Sequence, residues 1–178
     1  MEQFFKDAWF YIIKIFDLIG YLGPFILLIV TILLLKNKTT LLTYYICGYI
    51  LNIGLNLILK GLIKQPRPSE DLKIFNASLA QGKRVGFDAF GMPSGHMQST
   101  FYSSVFICFA LNNPIITAIY IAVALSSAFQ RIKYKNHTLM QVICGSIVGI
   151  IMGCVFYLFS SKKLMGLLKY KKDDNAPK

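Results

Sequence analysis

The sequence predicts an all-α, multi-pass transmembrane helix bundle, because of its composition, its hydropathy and the length of its apolar segments. Of its 178 residues, 55% are hydrophobic and only 15% are charged, whereas a soluble domain is usually about 45–50% apolar and about 25% charged. The mean hydropathy of +0.55 and several uncharged segments close to bilayer length agree with this fold class. The hydrophobic content excludes intrinsic disorder, and 13 glycines and 4 cysteines are too few for a collagen-like or disulfide-scaffold protein.

Five segments are expected to span the membrane, since about 17–25 mostly apolar residues cross its hydrocarbon core as a helix. Polar links separate them, among them the turn signal Asn112-Asn113-Pro114. The third and fourth segments are short unless their polar flanks extend the helices. The five predicted spans are residues 19–35, 41–59, 97–111, 115–129 and 138–159.

The two ends of the chain are expected to differ from these spans. Residues 3–18 place polar side chains on one helical face, which is typical of a helix that lies in the membrane interface. A long tilted first span that includes them is the alternative. Residues 160–178 are basic and polar and are expected to fray. We therefore expect a single integral-membrane domain over residues 1–178, with the bundle in residues 19–159.

Alternation of five spans divides the connecting segments between two sides of the membrane. We define the first side as the N-terminus with residues 60–96 and 130–137, and the second side as residues 36–40, 112–114 and the tail. Eleven of the 19 Lys and Arg residues lie on the first side and eight on the second. Charge therefore does not decide the orientation once three cations on the first side are assigned to chemistry. Nucleic-acid binding is not expected, because the cations form no single basic stripe.

Three segments on the first side carry unusual polar residues. Lysine and arginine supply cationic donors for phosphate oxygens, and a Pro-initiated helix N-terminus attracts anions. Two histidines can divide the work of nucleophile and general acid. These groups suffice for phosphoryl transfer from an ester, and the sparse carboxylates on this side favour a reaction without metal or other cofactor. The segments are Lys60 to Arg67-Pro68, Pro93-Ser94-Gly95-His96, and Arg131 to His137.

Lys-x6-Arg-Pro, Pro-Ser-Gly-His and Arg-x5-His, in that order, resemble the signature motifs of the type 2 phosphatidic acid phosphatase (PAP2) superfamily. The resemblance covers about residues 41–159 and implies a PAP2-like bundle. It implies that His137 is the nucleophile, which forms a phosphohistidine, and that His96 protonates the leaving group. It also implies a set of residues that hold the phosphate, namely Lys60, Arg67, Ser94, Gly95 and Arg131.

Two positions depart from the family pattern, which has Ser before the third-motif arginine and Asp four residues after the nucleophilic histidine. Gln130 and Gln141 stand in these places. Gln141 lies one helical turn from His137, so its carbonyl can accept the imidazole N–H, although it provides no negative charge. We therefore place Gln141 with His137 and His96 in the catalytic group. The surrounding residues are similar to the dolichyl diphosphate phosphatase branch, which has glutamine here.

The expected function is hydrolysis of a polyprenyl diphosphate to the monophosphate and phosphate. The alternatives are a phosphatase of phosphatidate-like monoesters and a non-catalytic lipid-phosphate binder in which Gln141 marks loss of activity. Lys83 and Arg84 are hypothesised to bind the second phosphate. The resemblance further implies an active site on the lumenal or extracytoplasmic face, in the endoplasmic reticulum. Membrane lipids are the other expected partners, and the oligomeric state stays open.

Several polar or small residues receive a structural interpretation. Asn52 and Asn56, four residues apart, are expected to form interhelical hydrogen bonds. Glycines at four-residue intervals after Gln141 predict a close helix–helix contact that turns His137 towards the bundle. Lys64, Lys133 and Lys135 are expected to contact lipid headgroups. The glycines are Gly145, Gly149 and Gly153.

Overall fold

The fold is a bundle of helices, shown by a computed structural model that describes residues 2–68 and 90–175, with side chains for residues 9–68 and 90–167. Within these ranges every regular element is an α-helix and there are five of them. The predicted all-α class is therefore confirmed. The helices are α1 (Glu2–Leu35), α2 (Thr39–Ile63), α3 (Gly95–Leu111), α4 (Pro114–Lys133) and α5 (Leu139–Asn175).

The helix ends follow local sequence signals. α2 stops at Lys64, whose left-handed backbone (φ 52°) directs its N–H to the carbonyl of Lys60. α3 stops in the same way at Asn112 (φ 49°). The next residue, Asn113, caps α4, and its side-chain oxygen accepts hydrogen bonds from two backbone N–H groups of the first turn. Asn112-Asn113-Pro114 therefore ends one helix and starts the next, as the turn signal predicted.

Four helical segments are long and apolar enough to cross a membrane, and they make the chain an integral membrane protein. α3 differs, because it has only 17 residues and carries buried hydroxyl and amide side chains in its first half, from Gln98 to Ser104. These polar groups are buried inside the bundle. The four segments are Trp9–Leu35, Thr39–Ile63, Pro114–Lys133 and Leu139–Leu167.

Both predicted ends of the bundle need correction. No helix boundary occurs at residue 18, since α1 runs without interruption through residues 3–18 into the first span. The alternative of one long first helix matches this continuity, and the interfacial position of residues 3–18 stays a prediction. The tail does not begin at residue 160 as a separate segment either, because α5 continues to Asn175.

The glycines of α5 bring this helix against the backbone of α3. A Cβ atom added at Gly149 would collide with the carbonyl oxygen of Gln98, and one at Gly153 would lie 2.9 Å from that of Tyr102. A Cβ at Gly145 would collide with the carbonyl of Ser94. The predicted small-residue contact is therefore confirmed, and it fixes α5 beside the N-terminus of α3.

Buried polar side chains tie α2 to α3. Asn56 Nδ2 donates to Gln98 Oε1 at 2.8 Å and to the carbonyl of Pro93 at 3.2 Å. Gln98 Nε2 donates in turn to Asn52 Oδ1 at 2.9 Å. The predicted interhelical hydrogen bonding by Asn52 and Asn56 is thus confirmed. These bonds hold the start of α3 beside the last turns of α2, where Lys60 lies.

Candidate active site

A cavity of about 700 Å³ opens at the end of the bundle where the three polar segments meet. Residues from all three motifs line it, and the structure brings together motif side chains as far apart in sequence as Lys60 and His137. Six of the residues predicted for the site line it: Lys60, Arg67, Gly95, His96, Arg131 and His137. The remaining lining residues are Tyr21, Leu22, Pro24, Phe25, Ile53, Asn56, Leu57 and Ser99.

Gly95, the first residue of α3, lines this cavity, whereas Ser94 before it is fully buried and is not among the lining residues. Ser94 has an extended backbone, and its own N–H donates to the carbonyl of Gln141 at 3.0 Å. Its side chain is fully buried, and Ser94 Oγ has no hydrogen-bond partner among the described residues. The first N–H groups of a helix lack intrahelical acceptors, so this end provides several donors at one point. Such an arrangement is suited to an anion.

Arg131 is held in the last turn of α4. Its Nε donates to Gln130 Oε1 at 2.6 Å, and its guanidinium lies 5.3 Å from the centre of the Tyr21 ring. The side chain is only 6% exposed, yet Nη2 has no hydrogen-bond partner within the described part of the chain. Gln130, which departs from the family's serine, therefore orients this arginine. The fixed guanidinium has a donor available for a ligand in the cavity.

Lys60 and Arg67 enter from α2 and from the segment that follows it. Lys60 lies in the last turn of α2 and is 2% exposed, so its charge is almost entirely removed from solvent. Arg67 follows Gln65 and Pro66, and the backbone carbonyls of both residues accept hydrogen bonds from other segments. The N–H of Gly91 donates to the carbonyl of Gln65 at 2.8 Å, and Gln141 Nε2 donates to that of Pro66 at 2.9 Å.

His137 follows a tight loop from the end of α4. Its backbone N–H and that of Asn136 both donate to the carbonyl of Arg131, at 3.2 and 3.0 Å. This loop fixes the distance between the arginine and the histidine. His137 Nδ1 lies 3.2 Å from Gln141 Oε1, as the i, i+4 spacing predicted.

Burial lowers the pKa of His137 from 6.5 to about 4. The positive charges of Arg67 and Lys60 act in the same direction, while hydrogen bonds to Gln141 and to the Gly91 backbone oppose them. The imidazole is therefore neutral at physiological pH. A neutral ring retains a lone pair on one nitrogen, which is the property that a nucleophile needs.

His96 and Tyr21 show how α1 contributes to the site. His96 Nε2 lies 3.1 Å from the carbonyl oxygen of Tyr21, and the Tyr21 ring also covers Arg131. Sequence reasoning missed Tyr21, because it lies outside all three motifs. The flanking Gly20 and Gly23 were the available signal, since a Cβ atom on either would collide with or crowd α4. Close approach of α1 to α4 brings the tyrosine over the cavity.

The expectations for three other basic residues, Lys83, Arg84 and Lys133, have different outcomes. Lys83 and Arg84 lie outside the described residues, so their assignment to a second phosphate stays a prediction. Lys133 is not simply a headgroup contact, because its Nζ lies 2.7 Å from Asp17 Oδ2 on α1. Tyr134 donates to the same oxygen at 2.6 Å. This pairing fixes the first-side end of α4 to α1.

The family model described as the PAP2 superfamily matches residues 41–165, which is more than two thirds of the chain. The chain belongs to the PAP2 superfamily. The match begins after α1, so Tyr21 and its contacts lie outside the part that defines the family. No solved structure matches the chain.

Curated relatives of this PAP2 protein carry phosphatase names. It is 27% identical over 140 residues to Dolichyldiphosphatase 1 of Dictyostelium discoideum, which covers 72% of this chain and 56% of that protein. It is 27% identical over 154 residues to human Dolichyldiphosphatase 1, covering 78% of this chain and 60% of the relative. Lipid phosphate phosphatase epsilon 1, chloroplastic, of Arabidopsis thaliana is 30% identical over 135 residues, covering 71% and 43%. The chain thus spans less than two thirds of the length of each of these relatives.

Proposed function

We propose that this PAP2 protein is a membrane lipid phosphatase that hydrolyses a polyprenyl diphosphate to the monophosphate and inorganic phosphate. The observation that carries the proposal is a deficit of hydrogen-bond acceptors beside the two histidines. Ser94 Oγ and Arg131 Nη2 are buried donors without partners among the described residues, and the N-terminus of α3 adds further donors. Leaving such groups unsatisfied is costly, and a phosphate provides the acceptors they need.

The phosphate would lie against the start of α3, where Gly95 allows close approach. Ser94 Oγ, Arg131 Nη2 and the free N–H groups of α3 donate to its non-bridging oxygens. Lys60 and Arg67, which line the same cavity, balance the negative charge that remains. Because these donors are already oriented, they stabilise charge on the transferred phosphoryl group without reorganisation.

The proposed reaction has two steps through a phosphohistidine. The lone pair of His137 Nε2 attacks the terminal phosphorus, and the bond from phosphorus to the bridging oxygen breaks. His96 donates a proton to that oxygen, and the lipid monophosphate leaves. In the second step His96 takes a proton from water, whose oxygen attacks the phosphohistidine, so that inorganic phosphate is released and His137 is restored.

The apolar part of the cavity is suited to the lipid chain of the substrate. Leu22 and Phe25 on α1 face the same space as Ile53 and Leu57 on α2. These side chains continue the cavity from its charged end into the membrane-spanning part of the bundle. A prenyl chain can therefore lie between α1 and α2 while its headgroup contacts the histidines.

The chemistry proposed here uses no metal ion. Among the residues that the structure describes, no group of three or more His, Cys, Asp or Glu side chains is arranged to hold one. Cations from the protein itself take the role of charge stabilisation that metals have in other phosphatases. We further propose that the site faces the lumenal or extracytoplasmic side, in the endoplasmic reticulum in a eukaryotic cell.

The test is phosphate release by the purified protein in detergent with a divalent-metal chelator. We expect phosphate release from a polyprenyl diphosphate. In His137→Ala we expect the rate of release to fall by a factor on the order of 10³ or more, as for removal of a catalytic nucleophile. Lys162→Ala removes an exposed charge far from the cavity and serves as the control that retains activity. Preferential release from phosphatidate would instead favour the monoester phosphatase, which the Arabidopsis relative's name suggests. No release from either lipid would favour a non-catalytic binder.

A further inference from the structure

We propose that Gln141 is a positioning residue that sets Arg67 relative to His137, acting through its amide nitrogen as well as its oxygen. This inference rests on the proposed function, because it assigns Arg67 to phosphate binding. Gln141 is 0% exposed and touches segments from all three motifs. Its two ends bind different partners, and each end has a separate consequence for the site.

The surrounding groups fix the orientation of the Gln141 amide. The N–H of Thr138 donates to one terminal atom at 3.2 Å, and this atom must therefore be the oxygen. The carbonyl of Pro66 lies 2.9 Å from the other terminal atom, and this one must be the nitrogen. Because Oε1 faces His137 Nδ1 at 3.2 Å, the proton of the neutral imidazole lies on Nδ1. His137 Nε2 then carries the lone pair.

The amide nitrogen reaches the segment that carries Arg67. Its two N–H groups donate to Pro66 O and to Gln65 Oε1, at 2.9 and 3.0 Å. Pro66 immediately precedes Arg67, so these bonds restrain the backbone from which the arginine extends. Pro66 itself has no N–H with which to form a restraint. The glutamine amide therefore joins the arginine segment to the helix that follows His137.

Two further contacts hold Gln141 in place. Its backbone carbonyl accepts from the N–H of Ser94 at 3.0 Å. A Cβ atom at Gly91 would lie 2.6 Å from Gln141 Oε1, so the glycine leaves room for the amide in its present position. One residue thus positions the arginine segment, the serine at the start of α3 and the proposed nucleophile.

A carboxylate at this position cannot form the same set of bonds. It can accept from His137 Nδ1, but it has no hydrogen to donate to Pro66 O, and its second oxygen would face that carbonyl. The family's aspartate places a negative charge beside the imidazole. Glutamine at this position gives up that charge and instead restrains the segment that carries Arg67. On this inference Gln141 is a functional alternative and does not mark loss of activity.

The first experiment measures binding of inorganic phosphate by calorimetry at pH 7 in detergent. Gln141→Glu keeps the acceptor for His137 and removes both donors, so we expect phosphate affinity to fall by about tenfold or more. Gln98→Glu is the control for a new buried carboxylate, because Gln98 is equally buried and hydrogen-bonded, and any loss that it causes through the start of α3 should not depend on Arg67. Wild-type affinity in Gln141→Glu would overturn the inference.

A double-mutant cycle separates positioning from simple charge repulsion. If Gln141 acts through Arg67, the extra loss caused by Gln141→Glu should be largely absent in an Arg67→Ala background. Repulsion between the new carboxylate and phosphate would instead persist there and give additive losses. Additive losses would therefore contradict a positioning role. The Gln98→Glu control should be additive with Arg67→Ala.

A second variant avoids adding a buried charge and keeps the inference testable if Gln141→Glu does not fold. Gln65→Leu leaves Gln141 and His137 unchanged and removes one acceptor on the arginine segment. Phosphate affinity should fall several-fold and again be non-additive with Arg67→Ala, and an unchanged affinity would count against the inference.

Phosphate binding can be measured without turnover of a lipid substrate. A protein that shows these couplings but releases no phosphate from lipids would refute the proposed function alone.

Discussion

Two residues of the site keep buried polar atoms that no residue in the described part of the chain satisfies. Arg131 is fixed by Gln130 and Tyr21 but retains a buried donor without a described partner. Ser94 has the same property at the start of α3. Burying such groups is unfavourable unless a ligand completes their hydrogen bonds. Burial is the main cause that lowers the pKa of His137 and keeps its ring neutral, and the charges of Arg67 and Lys60, which are also proposed to bind phosphate, act in the same direction.

The pKa of His137 is the measurable consequence at this scale. His96→Asn leaves a single histidine, and in ¹⁵N-histidine-labelled protein we expect its imidazole to titrate near pH 4, well below the ordinary value of 6.5. As pH falls, His137 is protonated first in the unfolded protein, while its imidazole stays neutral in the folded protein. This group therefore lowers the free energy of unfolding as pH falls from about 6.5 towards 4. A midpoint at or above 6.5 in the folded protein would contradict the burial and charge described here.

At the scale of helices, α3 is central and its neighbours are fitted to it by small residues. Gly149 of α5 lies directly against the backbone of Gln98, and Gly145 lies against that of Ser94. The position of Gln141 relative to Ser94 depends on this contact, because Gln141 lies in the first turn of α5, and His137 precedes that turn by two residues. α1 is fitted to α4 in a similar way, through Gly20 and Gly23.

Gly149→Leu should lower both activity and thermal stability. The new side chain has no space beside Gln98, so α5 must move away from α3, and overpacking of this kind costs about 1–3 kcal/mol. We expect a loss of turnover of about tenfold or more and a lower midpoint of thermal unfolding. Gly166→Leu is the control on the same helix, since a Cβ atom at Gly166 meets nothing within 4 Å. Wild-type turnover in a well-folded Gly149→Leu protein would show that the contact does not position the site.

At the scale of the whole molecule, the site requires α3 to cross the bundle. With its 17 residues, α3 would extend about 26 Å, which is just under the thickness of the hydrocarbon core. Arg67 and His137 lie at one end of the bundle, and the Asn112-Asn113 turn that ends α3 lies at the other. We predict that α3 crosses the membrane, which would put every proposed catalytic group on one face of it.

Cysteine labelling tests that crossing directly. In a variant without the four native cysteines, Pro68→Cys and Asn112→Cys place single thiols before and after α3, at exposed positions outside the helices. In sealed vesicles of uniform orientation, a membrane-impermeant maleimide should label only one of them until detergent is added. Lys38→Cys, another exposed position, should behave like Asn112→Cys. Equal labelling of Pro68→Cys and Asn112→Cys without detergent would show that α3 does not cross.

Much of this architecture can be predicted from the sequence, because its signals are local. Uncharged segments of bilayer length predict the helices, and Asn113 predicts where α4 begins. Motif spacing predicts the residues around the cavity, since each motif lies at a helix end on the first side. The four-residue spacing of His137 and Gln141 predicts their contact, although His137 itself lies just before α5 and is placed by the preceding loop.

Only the tertiary structure shows what depends on contacts between distant segments. Tyr21 joins the site through packing of α1 against α4, which no local pattern in the motifs indicates. The second role of Gln141 depends on Pro66 lying 2.9 Å from its amide nitrogen, across 75 positions of sequence. The sequence by itself determined which helices form and which chemistry their ends carry, because hydropathy and helix periodicity act over short distances. Which groups restrain one another was decided by the folded bundle, since those hydrogen bonds exist only when the helices are packed.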